Sequence, residues 1–293
     1  MARSRLSPAL KELVNAPFAH PGPTKAPAGI GKIYERIASE AHSKNIGPRP
    51  WLALTTAATF TLNSPDSLTT LHATASNNPS SPAGQTHNPL GPIPAAEFIR
   101  EVGLKCISFN GIPRSINCLG AFRSSLSPEI QAGLETRSSR TLTPANLARR
   151  NADGLALWSS VYDPFDGKLI DRLALSHPDL PVHILGSHYG PLLADPRGED
   201  VERGGLASVG RVLTSIVAIA CLRAQTGVGP QVLSHVFGLR KAIEQGVHLR
   251  EAEGEEERKG WEWLAGDEGG EWILRSVDGI VEAMGGGNFA AKL

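Results

Sequence analysis

The stretch from Glu97 to Arg123, EFIREVGLKCISFNGIPRSINCLGAFR, constrains the fold of this chain more than any other. Apolar residues recur at Phe98, Val102, Cys106 and Phe109, and again at Ile112, Ile116, Leu119 and Phe122. That is the spacing of helices that present one face to a core. Between the two runs stand Gly111, Ile112 and Pro113. Gly111 permits a bend, and Pro113 has no N–H to donate and a fixed φ, which suits the first turn of a new helix. The pattern predicts helices over 94–109 and 112–125 that meet at a corner.

The rest of the chain reads the same way. Punctuation by Pro, Gly, Ser and charges falls at 17–27, 46–50, 77–94, 195–205 and 246–270. Ser64-Pro65-Asp66 and Thr143-Pro144 are helix starts, with a hydroxyl to cap and a proline at the first position. Further helices are predicted over 5–15, 29–44, 50–62, 65–76, 128–135, 144–160, 166–176, 181–194, 206–225, 229–244 and 271–284. No segment alternates as a half-buried strand does, so the expected class is all-α.

A chain of 293 residues with 41% hydrophobic content has ample material for one large core or two smaller ones. Formal net charge is zero and no long basic stripe occurs, which argues against nucleic acid or an anionic lipid surface as the principal partner. The longest apolar run, Val212 to Leu222, is far shorter than the roughly 20 residues that cross a bilayer. Cys106, Cys118 and Cys221 form no C-x-x-C and no regular framework, so a reducing setting is expected. The charged tract from Glu251 to Lys259 reads as a solvated helix or loop, and Trp261 and Trp263 after it as anchors on the body or on a second subunit.

With Gly-Ile-Pro as an anchor, Val209 to Ala242 resembles the opening segment: an apolar helix, glycines at 227 and 229, then Pro230 where the first copy has Pro113. Arg240 answers to Arg123, and His188 precedes Pro230 by nearly the distance at which His72 precedes Pro113. The expected organisation is an N-terminal helical extension (1–50), a first helical unit (51–140), a second, degenerate unit (141–246) and a charged C-terminal segment with a helix and tail (247–293).

NSPDSLTTLHATA followed by AAEFIREVGLKCISFNGIPRSINCLGAFR resembles the core of the carboxymuconolactone decarboxylase and AhpD-like superfamily. The resemblance spans Leu52 to Leu126 and extends more loosely into the second half, and some fungal members of peroxisomal type look similar along most of their length. It implies an AhpD-like helical bundle with His72 and Glu101 in the site, Gly111-Ile112-Pro113 at the turn and Asn117 after it. The peroxidase branch carries a C-x-x-C pair and a histidine at this corner. Here Pro113, Ile116 and Gly120 stand in those places, which points away from thiol peroxidase chemistry.

Glu101 among apolar neighbours is the candidate acid–base group, with His72 as its proton-transfer partner. Arg114 and Asn117, one turn apart, are candidates to hold a substrate carboxylate or carbonyl. His188, Tyr189 and His235 are candidates to complete a pocket between the two units. In the second unit Ala218 stands where the first has Glu101. No histidine pair has metal-ligand spacing, and no nucleotide or nicotinamide fingerprint occurs, so neither metal nor cofactor is expected. The expected function is a cofactor-free decarboxylase, isomerase or lactone-handling enzyme. Its alternatives are a non-catalytic helical oligomer that binds a ligand, and a hydroperoxide reductase of altered thiol chemistry.

The chain ends in Ala291-Lys292-Leu293, a conservative variant of the Ser-Lys-Leu address read by the peroxisomal import receptor, after a glycine-rich spacer. The expected location is the peroxisomal matrix. Arg3, Arg5 and Lys11 leave a mitochondrial presequence open, and a cytosolic location is the other alternative. A homodimer is the expected assembly.

Overall fold

The structure, a computed structural model, describes residues 6–76, 90–197 and 208–285. Every regular element among them is helical. In chain order the first half holds α1 (Pro8–Val14), α2 (Ile30–Ser43), α3 (Pro48–Thr61), α4 (Pro65–Ser76), α5 (Pro92–Lys105), α6 (Ile107–Asn110), α7 (Ile112–Ser125) and α8 (Pro128–Gly133). The second half holds α9 (Leu147–Tyr162), α10 (Asp166–Ser176), α11 (Asp179–His183), a π-helix (Ile184–Leu193), α12 (Arg211–Gln225) and α13 (Gly229–Glu244). The chain closes with α14 (His248–Glu251), α15 (Gly254–Ala265) and α16 (Asp267–Ala283).

Proline opens many of these helices: it occupies the first turn of α1, α3, α5, α7, α8 and α13, where its missing N–H costs nothing. Ser7 and Ser127 cap α1 and α8 with their hydroxyls. The corner read at Gly111 is present, with Gly111 at φ +76° between α6 and α7. The helix before it is not continuous. It stops at Lys105, and Cys106 joins it to the single turn of α6.

Two helices form the centre. α3 is buried from Pro50 to Thr61 and α12 over nearly its whole length, and they pack on each other with α16 across both. Hydroxyls inside α3 are satisfied by its own carbonyls: Thr55 Oγ1 donates to Trp51 O at 2.8 Å and Thr59 Oγ1 to Thr55 O at 2.7 Å. Around this pair one apolar core gathers residues from Ile30 in α2 to Met284 after α16. α5 crosses α3 closely enough that a Cβ on Gly103 would lie 2.2 Å from the Phe60 ring. A second, smaller cluster of Trp158, Tyr189 and Leu193 holds α9 to the π-helix.

One part of the sequence pattern resolves differently from expectation, and a second resolves into one of its expected alternatives. Residues 181–194 are α-helical only to His183, and the rest is wound as a π-helix that contains Pro191. Proline withdraws a donor from the ladder, and Gly190 lets the segment press on α9: a Cβ there would sit 2.6 Å from Arg150 O. The charged tract after Glu251 becomes α15, whose Trp261 is wholly buried and donates to Ile46 O at 3.1 Å. The first of its tryptophans therefore buries against the body of this same chain.

Candidate functional site

One face of α5 carries three charged side chains at i, i+4 and i+8, and all three are buried: Glu97, Glu101 and Lys105. Two segments outside the helix answer them. Glu97 Oε1 accepts from Arg100 Nη1 at 2.9 Å and from the backbone N–H of Glu135 at 2.6 Å. Glu101 is held in a two-pronged ion pair by Arg140, whose Nη1 donates to Oε2 at 3.2 Å and whose Nη2 donates to Oε1. Lys105, wholly buried, lies 2.8 Å from Asp195 Oδ1 and donates to the carbonyl of Leu193. A buried charge survives only with such a partner, so this stripe pins residues 135–140 and 193–195 onto α5.

Asp195 carries the network outward. Its Oδ2 accepts from the Gly210 N–H at 2.7 Å and from Ser208 Oγ at 3.0 Å. Burial pushes this carboxyl up, but Lys105 and these donors outweigh it and hold it below the usual carboxylate range. Next to it Glu251 spans the start of α12, accepting from the N–H groups of Arg211 (2.7 Å) and Val212 (3.0 Å). Here burial wins, and the Glu251 carboxyl titrates above its ordinary range.

Asp195 and Glu251 face a cleft of about 510 Å³ between α9, the end of the π-helix and α12. Four arginines line it, Arg49, Arg197, Arg211 and Arg250, with Asp153 among them and an apolar wall that includes Leu157 and Leu193. Three of the four are engaged. Arg211 donates to Ser160, Ser215 and the Gly238 carbonyl, and burial lowers its pKa to about 10. Arg49 donates to the Ser208 carbonyl at 2.5 Å and lies over the Phe98 ring, and Arg197 approaches Asp153 at 3.9 Å. The exposed Arg250 guanidinium has no hydrogen bond or ion pair among the described residues.

The residues singled out from sequence fall in separate places. His72, on α4, bonds through Nε2 to Pro92 O at 2.8 Å and to Ser76 Oγ at 3.1 Å, and burial lowers its pKa. It pins the start of α5 and makes no bond to Glu101. Arg114 donates to the Thr61 carbonyl, and Asn117 Nδ2 to Asn63 Oδ1 at 3.4 Å, so both tie α7 to the end of α3. His188 bonds to Ser108 Oγ at 3.1 Å.

Tyr189 and His235 do come together, through Tyr162: the Tyr189 hydroxyl donates to Tyr162 OH at 3.2 Å, which lies 3.4 Å from His235 Nε2. Burial, reinforced by the positive Arg211, lowers the His235 pKa to about 4. Ala291, Lys292 and Leu293 lie outside the described residues. Among the described residues no group of His, Cys, Asp and Glu is arranged to hold a metal ion, and no helix is long and apolar enough to cross a membrane.

Lys105, Asp195, Arg250 and Glu251 were not indicated by motif. Only the i, i+4, i+8 charges of α5 leave a mark in the sequence. Asp195 sits in a loop and Glu251 at the end of the single-turn α14, and what brings them together is long-range packing.

Comparison with known proteins gives one named relative: over 160 residues the chain is 27% identical to Peroxisomal protein 2 of Saccharomyces cerevisiae. The match covers 47% of this chain and 52% of that protein, so the chain spans about half the length of the curated relative it matches. No protein-family model matches the chain, and no solved structure matches it.

Proposed function

We propose that this chain is a peroxisomal protein that takes up a small carboxylate-bearing molecule in the arginine-lined cleft. The location is supported by the name of the yeast relative, and the proposal includes Ala291-Lys292-Leu293 as the import address. The binding is supported by one observation above the rest: Arg250 lines the cleft, and its guanidinium makes no hydrogen bond or ion pair with the described residues. A planar guanidinium is matched in geometry by a carboxylate. The apolar wall suits the carbon skeleton of such a ligand.

Titration of the full chain with a panel of small mono- and dicarboxylates, followed by calorimetry, tests this reading. Saturable binding that weakens about tenfold or more in Arg250→Ala is expected, since a charge-assisted hydrogen bond contributes roughly 1.5–3 kcal/mol. Absence of binding by every member of the panel would reject it. For the location, a fluorescent fusion with a free C-terminus should enter peroxisomes and should lose them when Leu293 is deleted; unchanged import sinks that part.

A second reading adds turnover: a cofactor-free lyase or isomerase of the carboxymuconolactone decarboxylase type. It is favoured by Glu251, a carboxyl that titrates high and faces the cleft, as a proton-transferring group should. Glu101, saturated by Arg140 away from the residues that line the cleft, is then a group that positions the 135–140 segment. Under this reading Glu251→Gln abolishes conversion of a bound substrate while retaining its affinity; retained conversion assigns the chemistry elsewhere.

A further inference from the structure

Cys106 and Cys221 come from the two halves of the chain, yet their sulfurs are 3.6 Å apart, and neither is in a disulfide. Cys106 joins α5 to α6, and Cys221 lies in the last turns of α12. Both are wholly buried. The surroundings of Cys221 are polar in a specific way. Asn110 Nδ2 donates to its sulfur at 3.8 Å, and the Asn110 amide is held in that orientation because its Oδ1 accepts from Gln225 Nε2 at 3.1 Å and from Thr61 Oγ1 at 3.1 Å. The same sulfur also contacts the Ala57 carbonyl at 3.8 Å, so Cys221, unlike Cys106, is held in place by polar groups on two sides.

We propose that Cys106 and Cys221 form a peroxide-responsive dithiol in which Cys221 is the attacking sulfur, Cys106 resolves it, and the resulting disulfide cross-links the two halves of the chain. In the first step Cys221 Sγ attacks one oxygen of hydrogen peroxide. The S–O bond forms, the O–O bond breaks, and the hydroxide released leaves as water with the thiol proton. In the second step Cys106 Sγ attacks the sulfenic sulfur of Cys221. The S–S bond forms, the S–O bond breaks, and a second water leaves with the Cys106 proton. Two thiols lose two electrons, and one peroxide is reduced to two waters.

Geometry favours this pair over the third cysteine. Cys118 makes a sulfur contact to Asn63 Oδ1 at 3.9 Å and to neither of the other thiols. Contact at 3.6 Å has to shorten to about 2.05 Å for a disulfide, a movement that α6 can accommodate. α6 is a single turn of half-buried residues, bounded by Cys106 and by Gly111 at positive φ. Opening that turn is also the route by which a molecule as small as hydrogen peroxide reaches the sulfurs. Burial, first, and the neighbouring thiol keep Cys106 protonated well above the usual range for a thiol, which fits a resolving rather than an attacking group.

The experiment is peptide mapping without reduction, on the full chain exposed to hydrogen peroxide and then alkylated. Wild type is expected to lose 2 Da (two hydrogens) and to yield a peptide joining Cys106 to Cys221, with a Tm raised by several degrees. Cys118→Ser should behave the same way. Cys106→Ser should trap Cys221 as a sulfenic or sulfinic acid, and Asn110→Ala should slow the cross-link several-fold. Oxidation confined to Cys118, or both buried thiols recovered fully alkylated after denaturation, overturns the proposal. Wild-type mapping decides it even if a variant fails to fold.

Discussion

Glu101 and Arg140 are worth more as a pair than either is alone. The Glu101 side chain is 1% exposed and that of Arg140 12%, so removal of one strands a buried charge. Arg140→Ala is expected to destabilise the chain by about 3–5 kcal/mol in urea unfolding. The double variant Glu101→Leu/Arg140→Met should recover most of that loss, because an apolar pair of similar volume avoids the stranded charge. A double variant as unstable as the single one would instead mean that further partners of Glu101 dominate. His235 provides a titration at the same scale. Its folded pKa is about 4 against an ordinary 6.5, so the unfolded chain binds the proton more readily. The stability it supports is whole above pH 6.5 and is lost as the pH falls toward 4, by up to about 3 kcal/mol. His235→Gln should flatten that part of the stability profile, with His72 and His188, also lowered by burial, leaving a residual slope.

Among elements, the crossing of α9 and the π-helix is made by two glycines. A Cβ on Gly154 would lie 2.4 Å from the backbone nitrogen of Gly190, and backbone cannot step aside as a side chain can. Gly154→Ala should force the two apart and destabilise by about 1–3 kcal/mol, as overpacking does, measured by thermal unfolding with the near-UV signal of Trp158 and Tyr189 as a local reporter. The sequence declared α7 well, because Gly111 and Pro113 are local punctuation and the apolar repeat after them is regular. It could not declare the π-helix: Leu185, Tyr189 and Leu193 have ordinary helical spacing, and the wider winding arises only where Gly190 meets Arg150. The candidate site was less legible still. Glu101 and His72 are buried polar residues on neighbouring helices, but burial says nothing about partners. Those came from Arg140 and Pro92, residues that local pattern leaves unmarked.

At the scale of the whole molecule, stability is unevenly spread. α3 and α12 are buried along most of their length at the centre of the main core, whereas α1 buries no residue at all and leaves Leu10, Leu13 and Val14 exposed. Native-state hydrogen exchange should therefore show amides of α3 and α12 opening only with global unfolding, and those of α1 exchanging orders of magnitude faster. Protection of α1 equal to that of α3 would show that its apolar stripe is covered in solution, as it would be in the homodimer expected from the sequence. The stripe of charges on α5 also acts as a ruler for the family of sequences that can adopt this fold. One residue inserted or deleted between Glu97 and Lys105 rotates everything beyond it by about 100° and aims at least one buried charge away from its partner. Length differences among relatives of this chain must accordingly fall outside those nine positions, and an alignment of such relatives would bear that signature.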